Sequence, residues 1–460
     1  ESLYATQFKN LPIGQMEEKF ADYGEVQIKQ LNDRSKMYYT PNKENNVFQL
    51  VVQYGAGERE FPKLGYAAQL MNNAGIMGAY EPQELKEELS KLNATCHVTA
   101  DDDNLYIIME GYEATLPQAC QLLSRQILMP KLDEKQLARL KGSAMGMRQQ
   151  RKDNVSILNE ALRQYMLYGE KSDYIKELTD KEIYELQISE LTGDINRASN
   201  YEAKVFFTGT LPFDQVYDIL SKNLPLVANE RPSNSPQAKE MMPVTENTVY
   251  FLPNNDAEQA QIHLYIPMQK ADKKDDVLRS AFNQYFGLDF TGIVLNEIRE
   301  KRSMAYTAYA FVGTQGIAGK ASYLRGYIGT QNDKANDALD VLMSLVNDMP
   351  KNPERIGNIN SYLRQAMLTS HPSFRNKAME LVDLGYRGYT DDPAKENLPK
   401  VDALTFDDIV KFYEENIKGK PYCISIMGNP KDIDLKRLEK FGKVVKLNER
   451  KLFNTKDALF

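Results

Sequence analysis

Tryptophan is absent from the 460 residues, and histidine and cysteine occur only three times each. Cys96, Cys120 and Cys423 are scattered and form no CxxC pair, which excludes a disulfide framework and leaves the redox compartment unread. His97, His263 and His371 are isolated, and none has a second His or Cys at metal-ligand spacing. No apolar run approaches the ~18 residues of a membrane helix. No long block of one charge occurs either: 57 Lys+Arg against 64 Asp+Glu give −7, spread along the chain, which argues against a dedicated nucleic-acid binder. Neither an initiator methionine nor a signal-peptide pattern stands at Glu1, so a segment upstream is expected. What is present, 42% hydrophobic and 26% charged residues, is the composition of a soluble globular protein.

At ~150 residues per domain the length allows three domains or two large ones, and an internal similarity decides for two. Val47 to Gln53 and Gln261 to Ile266 are β-type runs, each followed by a helical pattern, Leu64 to Asn72 and Val277 to Phe286. Second helical patterns end ELSKL at Leu92 and EIREK at Lys301; Leu89 and Ile298 lie 209 positions apart. Strand pairs follow, Thr95–Thr99 with Leu105–Glu110 and Ala305–Val312 with Ser322–Ile328. Helices beginning at Leu116 and Ala335 come next, with Ala119 and Ala338 offset by 219. Longer helical patterns start at Leu140 and Leu363, and each half closes on a strand and a turn, with Gly209 and Pro212 or Gly428 and Pro430. The proline-punctuated stretch Asn229 to Pro243 reads as a linker. The expected organisation is a lead-in over 1–21, domains over 22–229 and 244–449 joined by a linker over 230–243, and a tail over 450–460. Each domain is expected to be α+β, a mainly antiparallel sheet with helices packed on one face.

This order of elements, together with LNEIREKRSMAYTAYAF from Leu295 to Phe311, resembles the insulinase- or pitrilysin-type zinc metallopeptidases, the M16 family, over nearly the whole chain. The resemblance implies a unit of four such domains, arranged as two halves that close around a peptide chamber, on one chain or on two subunits. In the catalytic half an HxxEH motif on the first helix of the first domain binds zinc, with a further Glu ligand some seventy-odd residues on. Two His one turn apart hold the metal while the Glu activates water. Here the matching positions are Ala68, Met71 and Asn72, and Ala144, Met145, Gly146 and Met147 stand where the further Glu would fall. The resemblance therefore implies no catalytic zinc on this chain.

It also implies that Arg299 and Tyr306, seven residues apart, match an Arg and Tyr that the family's last domain extends to the peptide bound at the zinc. A guanidinium and a phenol can hold a substrate carbonyl and stabilise its developing oxyanion without acting as a base. The first domain has Ser90 near the Arg position and no Tyr. Without the resemblance, REKR from Arg299 is simply a solvated helix end and Tyr306 a strand aromatic, and Arg302 is the alternative cation. Strict alternation along the strand puts Tyr309 under the helices rather than in the chamber. The acidic run Asp101 to Asp103 lacks the later Gly and Glu of a calcium loop and is expected at a hairpin tip.

The expected function is the non-catalytic, peptide-binding half of an M16-type endopeptidase, with zinc on an HxxEH-bearing partner half. A proteolytically inactive scaffold and a stand-alone peptide-binding module are the rivals. The family has periplasmic, cytosolic and organellar members, so the compartment stays open.

Overall fold

The computed structural model describes residues 17–287 and 291–456. Most of the expected lead-in, residues 1–16, and the end of the expected tail, residues 457–460, lie outside the described residues.

Two six-stranded sheets organise the chain. The first takes β1 (Gln27–Gln30), β2 (Lys36–Pro41), β3 (Val47–Tyr54), β5 (Thr95–Ala100), β6 (Leu105–Tyr112) and β8 (Ala203–Gly209) in the order β1-β2-β8-β3-β6-β5. A two-stranded ribbon pairs β4 (Gly75–Ile76) with β7 (Pro130–Lys131). The second sheet takes β9 (Thr248–Pro253), β10 (Gln259–Lys270), β11 (Ala305–Thr314), β12 (Ala321–Gln331), β13 (Cys423–Gly428) and β14 (Lys443–Lys446) in the order β11-β12-β10-β13-β9-β14. Read from the β5 and β11 edges, both sheets run through three antiparallel pairings and then one parallel pairing, β8 on β2 and β13 on β9. They differ only at the far edge, where β1 is antiparallel and β14 parallel to its neighbour. The class is the α+β arrangement expected from sequence.

Alternation builds the sheets' helix-facing surfaces. Phe48, Leu50, Val52 and Tyr54 of β3 all turn to one side and are fully buried. Against them lie α1 (Leu64–Met71), α2 (Pro82–Lys91), α3 (Leu116–Leu128) and α4 (Glu134–Gln149). On α3 the stripe Leu116, Ala119, Cys120, Leu123 and Ile127 recurs at three- and four-residue spacing, which is why that face is buried. In the second domain α8 (Asp276–Phe286), α9 (Ala335–Asn347), α10 (Ile356–Thr369) and α12 (Phe406–Asn416) cover the sheet in the same way.

The opposite sheet faces are covered reciprocally. Helix α5 (Val155–Tyr168), started by Asn154 accepting from the Ser156 and Ile157 N–H groups, belongs to the first half of the chain but packs on the second sheet. Its Leu158 and Leu162 meet Leu252 and Met427, and its Met166 and Leu167 meet Tyr265 and Cys423. Conversely α11 (Lys377–Tyr386) places Ala378 and Val382 against Val26, Val51 and Phe206 of the first sheet. Each sheet is thereby covered on one face by a helix from the other half of the chain. Helix α5 covers the inner strands β10, β13 and β9, and the outer strands β11 and β12 lie beyond it.

Candidate functional site

Helix α1 carries the positions where the resemblance looks for metal ligands. Ala68 and Met71 are each 1% exposed and join the first-domain core, into which Ala144 of α4 also packs. Asn72, just past the helix end, does different work. Its Nδ2 donates to the Val98 carbonyl at 2.9 Å and its Oδ1 accepts from the Val98 N–H at 2.8 Å, so it stands in for a missing strand on the outer edge of β5. These apolar and amide groups do not fit a catalytic zinc. Among the described residues no three His, Cys, Asp or Glu side chains are grouped so that they could hold a metal ion. Asn72→Ala is expected to cost about 2 kcal/mol, since it strips both partners from Val98; urea unfolding monitored by circular dichroism checks this.

Two features beside α1 escaped the sequence reading. A cavity of about 520 Å³ opens there, lined in part by Glu58, Tyr66, Met147, Arg148 and Arg151. Burial, reinforced by the charges of Asp102, Asp101 and Asp173, pushes the Glu58 carboxyl up to about 6. Neither could have been placed from spacing, because the lining residues come from separate helices. The acidic run does form a hairpin tip between β5 and β6, with Asp101 Oδ1 accepting from the N–H groups of Asp103 and Asn104.

Arg299 and Tyr306 sit at a corner of the second domain. The helix entering it widens to a π-helical turn over Asn296–Glu300 and ends at Ser303, whose φ of 49° reverses the chain into β11. Within this turn Glu297 is engaged by Lys301 and Arg302, and the hydrogen bonds from Arg302 and then Lys301 hold its carboxyl below the usual range. Arg302 also donates to the Glu297 carbonyl at 2.7 Å, so it is tied back onto the helix. Arg299 makes one long contact, Nε to Glu300 Oε1 at 3.6 Å, and its side chain is 44% exposed. The two cations are similarly exposed, and Arg299 is the less tightly tied of the two.

Tyr306 is placed by a β-bulge. Ala305 pairs with Thr330 and Thr307 with Gly329, so Tyr306 is an extra residue on β11. Ala305 and Ala308 both pack toward the helices, and the two residues between them are pushed outward. Tyr306 is 56% exposed, its hydroxyl 3.5 Å from Gln331 Nε2. The equivalent strand β5 pairs continuously and has no bulge.

The bulge overturns the placement of Tyr309. Ala308, Ala310 and Val312 take the buried helix-facing positions, and Tyr309 lies on the other face, its ring 5.3 Å from Tyr327 and 6.1 Å from Phe311. One inserted residue shifts parity, so alternation counted from Tyr306 pointed Tyr309 the wrong way.

The same face of the sheet carries His263, buried in β10 with Nε2 2.9 Å from Asn159 Oδ1 of α5. Burial first, then the Arg163 and Arg325 charges, push this imidazole down to about 3. The unfolded chain takes up a proton near pH 6.5 and the folded chain only near 3, so stability falls as pH drops through this window. Between pH 6.5 and 5 the expected loss is about 1.5 to 2 kcal/mol. Urea midpoints at the two pH values measure it, and His263→Gln should abolish this part of the slope. His97 stands in β5 and His371 in the loop before α11, so the three histidines belong to separate places.

Comparison with known proteins places this geometry. Residues 199–354, which contain Arg299 and Tyr306, match the family model described as the peptidase M16 inactive domain. A peptidase M16 inactive domain from Pseudomonas fluorescens is similar in structure, with a TM-score of 0.67 at 17% identity, over 88% of this chain and 98% of that one. The ferredoxin protease FusC, solved with Arabidopsis ferredoxin, gives 0.68 at 12% identity over 90% of this chain and 46% of its own. The periplasmic protease PqqL from Escherichia coli gives 0.66 at 12%, over 90% and 47%. This chain thus spans under half the length of FusC and PqqL. No curated protein matches it in sequence. The fold is that of an M16-type module, with two of the expected metal positions, Ala68 and Met71, in the core and the third, Asn72, bonded to the edge of β5. Over residues 199–354 the chain resembles the M16 inactive domain, and over most of its length it shares the fold of the M16 inactive-domain structure.

Proposed function

We propose that the chain is the substrate-contacting half of an M16-type zinc endopeptidase, with zinc on an HxxEH-bearing half elsewhere. The observation that carries the reading is the corner at β11: a π-helical turn and a bulge present Arg299 and Tyr306 outward, within the region matched to the family. Both groups are donors. Arg299 would hold the carbonyl oxygen of the bond to be cleaved, and the Tyr306 hydroxyl would donate to the same oxygen as negative charge develops. The metal supplies the activated water and belongs to the partner. The shared strand order of the two sheets supports a duplicated domain, and coverage of under half of FusC and PqqL is what one half of a four-domain unit would give. PqqL makes the periplasm the compartment to examine first.

Bound peptide can add to the β11 edge only in part. The Ala310 N–H already donates to the Gly287 carbonyl at 3.0 Å, and Asn283 bonds both the N–H and carbonyl of Val312. The contact therefore concentrates near Tyr306 and on the sheet face beyond it.

Mixing the chain with a candidate HxxEH-bearing half and following peptide cleavage tests the proposal, together with a zinc titration of the chain alone. Cleavage in the mixture and no stoichiometric zinc on this chain are expected. Tight zinc binding by the isolated chain, or a mixture no more active than the HxxEH half, would remove the reading.

A further inference from the structure

The sheet face that carries Tyr309 holds an arginine without a partner. Arg325 lies on β12 opposite Phe311, its guanidinium 5.6 Å from that ring. Tyr323 and Tyr327 flank it on the same face, and the Tyr309 ring lies tilted against Tyr327 at 5.3 Å, so the charge rests beside a group of aromatic rings. Arg325 Nε is buried and receives no partner, and among the described residues the side chain makes no ion pair. The acid on the neighbouring stretch of α5, Glu160, is already engaged by Arg163.

A second observation points the same way. His263, on the adjacent strand and 4% exposed, has a buried Nδ1 with no partner. The Arg163 and Arg325 charges both act on the His263 imidazole, and among the described residues no ion pair neutralises Arg325, Glu160 being engaged by Arg163. The planar fork of a guanidinium matches a carboxylate in two parallel hydrogen bonds. Phe311 is five positions along β11 from Tyr306, a gap of about 17 Å at ~3.4 Å per residue. An extended peptide of about five residues spans it.

We infer that Arg325 is a docking point for a carboxylate of a bound peptide, its chain end or an acidic side chain, about five residues from the group held at Tyr306. The inference rests on the peptide-binding reading of the chain. It adds a preference among peptides that the Arg299 and Tyr306 pair does not supply.

The test measures fluorescence anisotropy of N-terminally labelled peptides on the full chain. One peptide has a free C-terminal carboxylate and no acidic residue, one is the same sequence amidated, and one is amidated with an internal Glu. Arg325→Gln should weaken the carboxylate-bearing peptides at least 10-fold, leave the fully neutral one unchanged, and be partly rescued by Arg325→Lys. Tight binding of the first peptide alone assigns the chain end, and tight binding of the third as well assigns a side chain; both support the inference. Equal binding of all three, unaffected by Arg325→Gln, overturns it while leaving the peptide-binding reading in place. If no peptide binds at millimolar concentration, both fall.

Discussion

In an enzyme assembled from this chain and an HxxEH-bearing half, Arg299→Ala and Tyr306→Phe should each lower kcat/KM by about 10²- to 10³-fold. The loss should fall mainly on kcat, because a donor aimed at a developing oxyanion gains most in the transition state. Stability should hardly move. Both side chains are largely solvent-exposed, and surface truncations away from special backbone features usually stay within ±0.5 kcal/mol. Tyr306→Phe also keeps the ring at the bulge, so it removes the hydroxyl alone. Arg302→Ala is the matched control: its guanidinium is bound to Glu297, and its loss should leave cleavage within a few-fold of wild type. The two losses should be less than additive in the double variant, as expected if both donors serve one oxygen.

The second large effect concerns stability and rests on Glu113. This residue is 5% exposed, directly after β6, and its carboxylate accepts from the Thr210 N–H, the Thr210 hydroxyl and the Leu211 N–H at 3.0 Å. These are the donors of the turn that carries β8 toward α7 (Phe213–Asn223). Gly209 is required there because a Cβ would lie 2.1 Å from the Glu113 carboxylate. Glu113→Ala strands three donors at once and is expected to cost about 3 to 5 kcal/mol, roughly 1 to 1.5 kcal/mol for each, because the turn is only part-buried. Glu113→Gln keeps an acceptor oxygen and should cost about 1 to 2 kcal/mol. Denaturant midpoints of the two variants against wild type measure both costs. Equal stability of Glu113→Ala and wild type would show that the turn is held by other contacts.

The second domain repeats the device with different chemistry. Asn332, directly after β12, accepts from the Asn429 N–H at 2.9 Å and donates to the Ala257 carbonyl at 2.7 Å. A Cβ on Gly428 would lie 2.7 Å from Asn332 Oδ1. Asn332, Gly428 and Asn429 each follow Glu113, Gly209 and Thr210 by 219 positions, the same offset that relates Ala119 and Ala338.

Much of the architecture was therefore open to a reader of the sequence. Alternating runs such as Val47 to Gln53 and the stripe on α3 specify local structure directly, and turns built on Gly209 and Gly428 mark where strands end. Nothing in the apolar stripe of α5 says which sheet it meets. Leu158 and Leu162 would read the same against either domain, so the exchanged helices could not be foreseen. The extra residue at Tyr306 was equally hidden, because a bulge depends on pairing with β12 and leaves no local composition signal. It nonetheless controls which side of the sheet Tyr309 occupies. In the second domain, the spacing of Arg299 and Tyr306 was visible, whereas Arg325 becomes notable only because its Nε has no partner among the described residues. Burial of Ala68, Met71 and Ala144 in one core agrees with the chemistry of those residue types, which carry no ligand atom a zinc ion would prefer.

The most direct test of the account installs a photo-crosslinking benzoylphenylalanine in place of Tyr306 and irradiates the assembled two-half complex with a slowly cleaved peptide. The account predicts a covalent adduct on the peptide within one or two residues of the bond that is cut. Adducts found only on the partner protein, or on no peptide at all, would contradict it.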